Sequence, residues 1–102
     1  MSNIRNKQDI IALLKANAIK IKGYGVERLR LFGSFSRDTA NNQSDIDLLI
    51  DFNPAEKTFD NFMDLSFFLE DLFKRKVEIV TPQSLNKFIG PHIIKSAENV
   101  TL

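Results

Sequence analysis

The sequence predicts a small α/β (α+β) domain, a mixed β-sheet covered by helices, with elements in the order α-β-α-β-α-β-α. Three observations carry that prediction. Apolar residues recur at helical spacing in two long segments, 7–22 and 58–75. Three short segments, 27–32, 45–52 and 76–80, alternate or carry branched apolar residues as strands do. The chain has 102 residues, enough to bury one core and too few for two, so a single domain over residues 1–102 is expected.

The elements follow in order. From Lys7 to Lys22, Ile10, Leu13, Leu14, Ala18 and Ile21 recur as one helical face, and Gly23 and Gly25 stop the helix. Glu27 to Phe32 alternates, with Leu29 and Leu31 on one side and Arg28 and Arg30 on the other, as a half-buried strand that ends at Gly33. A short helix is expected through Phe35 to Ala40, and the polar stretch Asp38 to Ser44 reads as a loop. Asp45 to Phe52 is the next strand, and its continuous Leu48, Leu49 and Ile50 call for cover on both faces. Asn53 and Pro54 break it. Thr58 to Arg75 is a long aromatic helix, and Lys76 to Val80 is a short strand. Thr81 as N-cap and Pro82 at the first helical position open a further helix. Gly90 and Pro91 split the tail into two short helical pieces before Val100 to Leu102.

Composition excludes several classes of function. Lys+Arg 14 against Asp+Glu 13 leaves a charge of +1, so no global field draws the chain to nucleic acid or anionic lipid, and direct nucleic-acid binding is not expected. Any polyanion site must be local. With Cys 0 there is no disulfide, thiolate ligand or cysteine nucleophile. The opening MSNIRNKQDI lacks the apolar core of a secretory signal, and no apolar run nears the ~20 residues that span a bilayer. A cytoplasmic protein without a membrane partner is the expectation.

The chemistry concentrates in LRLFGSFSRDTANNQSDIDLLIDF, Leu29 to Phe52. Residues two apart in a strand share a face, so Asp45 and Asp47 project together with Cα atoms roughly 6 to 7 Å apart, and Ile46 and Leu48 face the other way. Like charges this close call for a cation between them or a proton on one, and hard oxygen ligands suit Mg²⁺. The plainer reading is two acids exposed at the mouth of a strand. Asp51, roughly 13 Å beyond Asp47, reads as a solvated strand end. Upstream, Gly33 and Ser34 end a strand and begin a helix, a turn where backbone can approach an anion and helix amides favour phosphate. Ser34 also reads as the N-cap of that helix. Arg37 pairs either with a phosphate or with Asp38 on the surface. Tyr24 reads as a packing residue, His92 as a surface residue, and Lys22, Arg28 and Arg30 as solvated charges.

GSFSR followed by SDIDLLIDF resembles the GS-x-x-R and DxD signature of the polymerase-beta-type nucleotidyltransferase superfamily. With its length, its first helix and the later KVEIVTP, the chain is similar over nearly its whole length to the minimal nucleotidyltransferase (MNT) antitoxins of HEPN/MNT toxin-antitoxin modules. The resemblance implies the nucleotidyltransferase fold, Gly33 and Ser34 as phosphate-binding, and Asp45 and Asp47 as ligands of two Mg²⁺ ions. It places a third acid at Glu78, where the family pattern leads one to expect aspartate. Alternation turns Glu78 either toward the aspartates or into solvent on an edge strand. The implied reaction is AMP transfer from ATP to a tyrosine hydroxyl of a HEPN-type toxin, Glu78 serving as general base if it lies beside the metals. Two alternatives remain, an inert antitoxin that neutralises its partner by binding, and a transferase acting on a small molecule or an RNA end.

One feature of the residues points to a partner independently. The apolar residues of Thr58 to Arg75 cover roughly 260° of the helical wheel, more than a core-facing stripe needs. Phe62, Leu65, Leu69, Leu72 and Phe73 suffice for the core. Met63 and Phe67 are left for a second buried face, either a protein interface or the inside of the domain.

Overall fold

The computed structural model describes residues 4–102. Residues 1–3, part of the opening segment read above for a signal, lie outside the described residues. The first helix, α1 (Lys7–Ala16), starts where the Asn6 side chain accepts a hydrogen bond from the Asp9 amide at 3.1 Å. The single helix expected over 7–22 is instead two. At Asn17 the backbone leaves helical angles (φ −112°, ψ 21°), and its Nδ2 donates to the Leu13 carbonyl at 2.8 Å. A side-chain amide competing for backbone acceptors is how asparagine interrupts a helix. After that break α2 (Ala18–Gly23) re-aims the chain, and Leu14 and Ile21 both reach the core.

The remaining elements are β1 (Val26–Phe32), β2 (Ile46–Phe52), α3 (Phe59–Phe73), β3 (Val77–Val80), a 3-10 turn (Pro82–Ser84), α4 (Gly90–Ser96) and β4 (Glu98–Val100). They build a four-stranded mixed sheet in the order β3-β2-β1-β4. β1 runs antiparallel to β2 and β4, while β2 and β3 are parallel and joined through α3. The fourth strand has no counterpart in the predicted order. Three residues are too few to display a period of two.

Register sorts the sheet into two faces. Leu29 lies opposite Ile50 and Val100, Leu31 opposite Leu48, and Val77 beside Ile46. These residues form one core with Ile10, Leu14, Ile21, Leu65, Leu69 and Phe73 from the helices. Leu49 points to the other face and is also fully buried, so the run Leu48-Leu49-Ile50 is covered on both sides as expected. α3 is capped by Thr58, whose side chain accepts from the Asn61 amide at 3.1 Å, and it closes at Lys74 in the left-handed region (φ 52°). Phe62 and Leu72 pack at the margin of the core beside buried Leu65, Leu69 and Phe73. Tyr24 takes its packing role against Phe68, ring centroids 5.9 Å apart. The helix expected at Thr81 shrinks to the 3-10 turn. There the Ser84 hydroxyl accepts from the Thr81 amide at 3.1 Å and donates to the Thr81 carbonyl at 2.8 Å.

Two charged residues read as solvated are not. Arg30 is only 7% exposed, and its Nη2 donates to Asp51 Oδ2 at 3.1 Å, so Asp51 is an ion-pair partner rather than a solvated strand end. β1 is an interior strand between β2 and β4, and of its two polar-face arginines Arg30 is buried while Arg28 stays exposed. A register irregularity between Val26 and Arg28 leaves Glu27 and Arg28 both exposed, which ends the strict alternation. Among the described residues no helix is long and apolar enough to cross a membrane.

Candidate active site

The site forms at the start of β2. Ile46 and Leu48 are sealed in the core, which turns Asp47 out on the opposite face, and Asp45 precedes the first residue of the strand. The parallel pairing sets Glu78 directly beside Asp47, about 4.8 Å away at the backbone. Both orientations open for Glu78 hold at once, since it lies beside Asp47 and is solvent-exposed on the edge strand β3. It shares the face of Asp47 because Val77 and Ile79 take the core side against Ile46 and Leu48. On the other flank the antiparallel register puts Phe32 opposite Asp47.

Gly33 follows Phe32 with φ +78°, a conformation that side-chain-bearing residues avoid. A Cβ at Gly33 would also overlap the Asp47 carboxylate. The glycine therefore permits both the turn and the seat of the acid against it. The short helix expected over Phe35 to Ala40 is a single turn. The Arg37 amide donates to the Gly33 carbonyl at 3.2 Å, the Thr39 amide to the Ser34 carbonyl at 2.9 Å, and the Asp38 amide to the Phe35 carbonyl at 3.4 Å. Asp38 in the left-handed region (φ 57°) closes the turn as helices are closed at their C-termini. The N-cap and helix-dipole roles anticipated for Ser34 thus have no helix to act on. What remains at Gly33 and Ser34 is a tight turn packed against a carboxylate.

The electrostatics single out Asp47. Burial pushes its carboxyl up from 3.8 to about 6, and the charges of Glu78 and then Asp45 add to the rise. The Arg37 guanidinium pulls the other way. Asp45, Glu78 and Arg37 thus lie close enough to act on the charge of Asp47, and Gly33 packs against its carboxylate. Among the described residues no three acids or histidines close on a single point in these rotamers. The backbone nonetheless gives Asp47 an acidic neighbour on its own strand and another on the adjacent one. Crowded carboxylates of this kind, one of them held toward protonation by the others, are a hard-oxygen donor set that a divalent cation relieves, so the residues present fit Mg²⁺.

Two residues at the site escaped sequence reasoning. Phe35 is 2% exposed beneath the turn, and the Arg75 guanidinium lies over its ring at 5.2 Å. Arg75 Nη1 also donates to the carbonyls of Asn41, Asn42 and Ser44 at 3.2, 3.2 and 2.8 Å. The pattern showed Arg75 only as the end of an aromatic helix, and a tertiary contact with a loop more than thirty residues upstream has no local signal. Elsewhere, Phe67 is 60% exposed and Phe59 76%, with Met63 half-buried between them on α3. A groove of about 370 Å³ lined by Leu13, Leu72 and Phe73 includes none of the acids of the site.

Comparison with known proteins bears on these observations. Residues 13–101 match the family model described as nucleotidyltransferase domain. A protein from Methanocaldococcus jannaschii, named as a candidate protein adenylyltransferase, is 33% identical over 98 residues, covering 96% of this chain and 94% of that one. The protein adenylyltransferase MntA of Thermococcus cleftensis is 29% identical over 89 residues, covering 86% and 89%. Among solved structures, a candidate minimal nucleotidyltransferase superposes with TM-score 0.80 at 27% identity, covering 98% and 99% of the two chains. A chain from a toxin-antitoxin crystal structure with AMP-PNP superposes at TM-score 0.60 and 22% identity, covering 95% of this chain and 73% of that one, a likeness of fold.

Proposed function

The chain belongs to the nucleotidyltransferase domain family, and on that premise we propose that this single domain transfers AMP from ATP to a tyrosine hydroxyl of a HEPN-type toxin, acting as its antitoxin in the cytoplasm. The observation that carries the reading is the seat of Asp47, pressed against Gly33 with Glu78 beside it on the next strand. Metal-ligating and phosphate-approaching groups are thereby adjacent. Relatives that bear the name protein adenylyltransferase, among them MntA, support a protein as acceptor.

In this reading Asp45 and Asp47 would hold two Mg²⁺ ions, and Glu78 would complete the ligand set. Bound Mg²⁺ supplies charge neutralisation at the triphosphate and eases ionisation of the attacking hydroxyl. The residues of the chain do the rest. Gly33 and Ser34 let backbone approach the phosphates, and Arg37 sets a positive charge near Asp47, where negative charge gathers during transfer. The hydroxyl oxygen bonds to the α-phosphorus, the bond from that phosphorus to the bridging oxygen breaks, and pyrophosphate leaves. Glu78 accepts the hydroxyl proton.

The test is intact-mass measurement of the co-purified partner after incubation with ATP and Mg²⁺. Increments equal to AMP are expected with the wild-type chain and not with Asp47→Asn. A wild-type chain that binds ATP yet leaves every partner unmodified overturns the reading. Exposed Phe59 and Phe67, with half-buried Met63 between them, favour a second reading, neutralisation by contact alone, in which Asp47→Asn protects against the toxin as well as wild type does.

A further inference from the structure

We propose that Arg75 is the positioning residue of this site, fixing the loop that delivers Asp45 to Asp47 and Glu78. Its structural part stands on geometry alone, and its kinetic part rests on the nucleotidyltransferase reading. Asp45 precedes β2, so no strand ladder holds it. The loop before it orders itself only locally. The Asn41 side chain accepts from the Gln43 amide at 2.8 Å, the Ser44 hydroxyl accepts from the Asn41 amide at 2.9 Å, and the Ser44 amide donates to the Asn41 carbonyl at 3.1 Å. That small turn gathers three carbonyls, of Asn41, Asn42 and Ser44, onto Arg75 Nη1. Nη2 meanwhile donates to the Ile4 carbonyl at 3.2 Å.

The next residue completes the arrangement. The Lys76 carbonyl accepts from the Ile46 amide at 3.0 Å, so the residues on both sides of Asp45 are tied to consecutive residues, Arg75 and Lys76. Two residues further on stands Glu78. The guanidinium lies over the ring of Phe35, the neighbour of Ser34, which links the same group to the glycine-serine turn. One short stretch therefore supplies one acid, places another and braces the turn between β1 and the loop. Only a planar fork with several donors does all of this; a lysine ammonium satisfies fewer carbonyls and does not stack as a plane.

The experiment compares Arg75→Ala and Arg75→Lys with wild type by hydrogen exchange and by steady-state transfer. In Arg75→Ala, amides 41–46 should exchange about tenfold faster or more while those of β1 and α3 keep their protection. Transfer should lose about tenfold to a hundredfold in kcat, as expected for a shift near 1 Å, with KM for ATP changed less than about twofold. The Mg²⁺ concentration for half-maximal rate should rise, Arg75→Lys should stay near Arg75→Ala, and millimolar guanidinium should restore part of the rate in Arg75→Ala. Unchanged exchange over 41–46, or Arg75→Lys indistinguishable from wild type, overturns the proposal. Should Arg75→Ala fail to fold, the same exchange and kcat comparison on Arg75→Lys decides. If the wild-type chain itself shows no transfer, the nucleotidyltransferase reading fails, and exchange over 41–46 alone decides the part played by Arg75.

Discussion

Asp47 ionises against burial and two neighbouring acids, so its folded-state value of about 6 stands above 3.8 for the open chain. Between those values the folded protein holds a proton that the unfolded chain has lost. The associated stability is complete below about 4 and disappears as pH rises through about 6. At 1.36 kcal/mol per pKa unit the effect is at most about 3 kcal/mol, and less where solvent screens the group. Thermal unfolding in EDTA should therefore show a melting temperature that falls from pH 4 to pH 7. Asp47→Asn should flatten that profile and melt higher than wild type at pH 7, while abolishing AMP transfer. Saturating Mg²⁺ at pH 7 should raise the wild-type melting temperature and leave that of Asp47→Asn nearly unmoved. Gly33→Ala should cost about 2 to 4 kcal/mol in denaturant titrations, because it adds left-handed strain to displacement of the carboxylate. Much of this was legible in the residues. Strand geometry sets Asp47 on the face opposite Ile46 and Leu48, and Gly33 marks a turn, whereas Asp45 lies just before the strand. That the glycine also makes room for Asp47 was not legible, since contact between the two depends on a register that no spacing records.

Elements were legible where their pattern was long. β2 was read from Asp45 and begins at Ile46, α3 was read from Thr58 and begins at Phe59, and the five core residues chosen on α3 do pack inward. Short elements were not. β4 has three residues, the turn after Gly33 has one turn of hydrogen bonds, and Asn17 divides a periodic segment without disturbing its periodicity. Alternation put Arg30 on the polar face of β1, and the tertiary cover that buries this side chain has no local signal. Buried Arg30 pairs with half-buried Asp51, so removing Asp51 leaves the guanidinium uncompensated. Asp51→Ala should lower stability by about 2 to 4 kcal/mol, whereas Arg30→Met with Asp51→Leu should lower it far less. Urea titration of the two variants checks the difference.

At the scale of the molecule, one face of α3 serves the core and another meets solvent. Phe59, Met63 and Phe67 are spaced four apart and so follow one another along that outer face. Sequence reasoning had reached Met63 and Phe67 from the width of the apolar arc, but a wheel does not show which side stays uncovered. Replacing Phe59 and Phe67 together by serine should change stability by less than about 0.5 kcal/mol and, if the proposed toxin partner docks here, weaken its capture at least about tenfold. Equal capture by the variant and wild type, measured by co-purification, would place the interface elsewhere. The void above the Gly33 α-carbon has a longer reach. The space that a Cβ at position 33 would take holds the carboxylate of position 47, so a side chain can arise at 33 only once that carboxylate has gone. In descendants released from the need to handle nucleotide, the aspartate should be lost before or together with the glycine, and a branch that has lost the glycine should also have lost the aspartate.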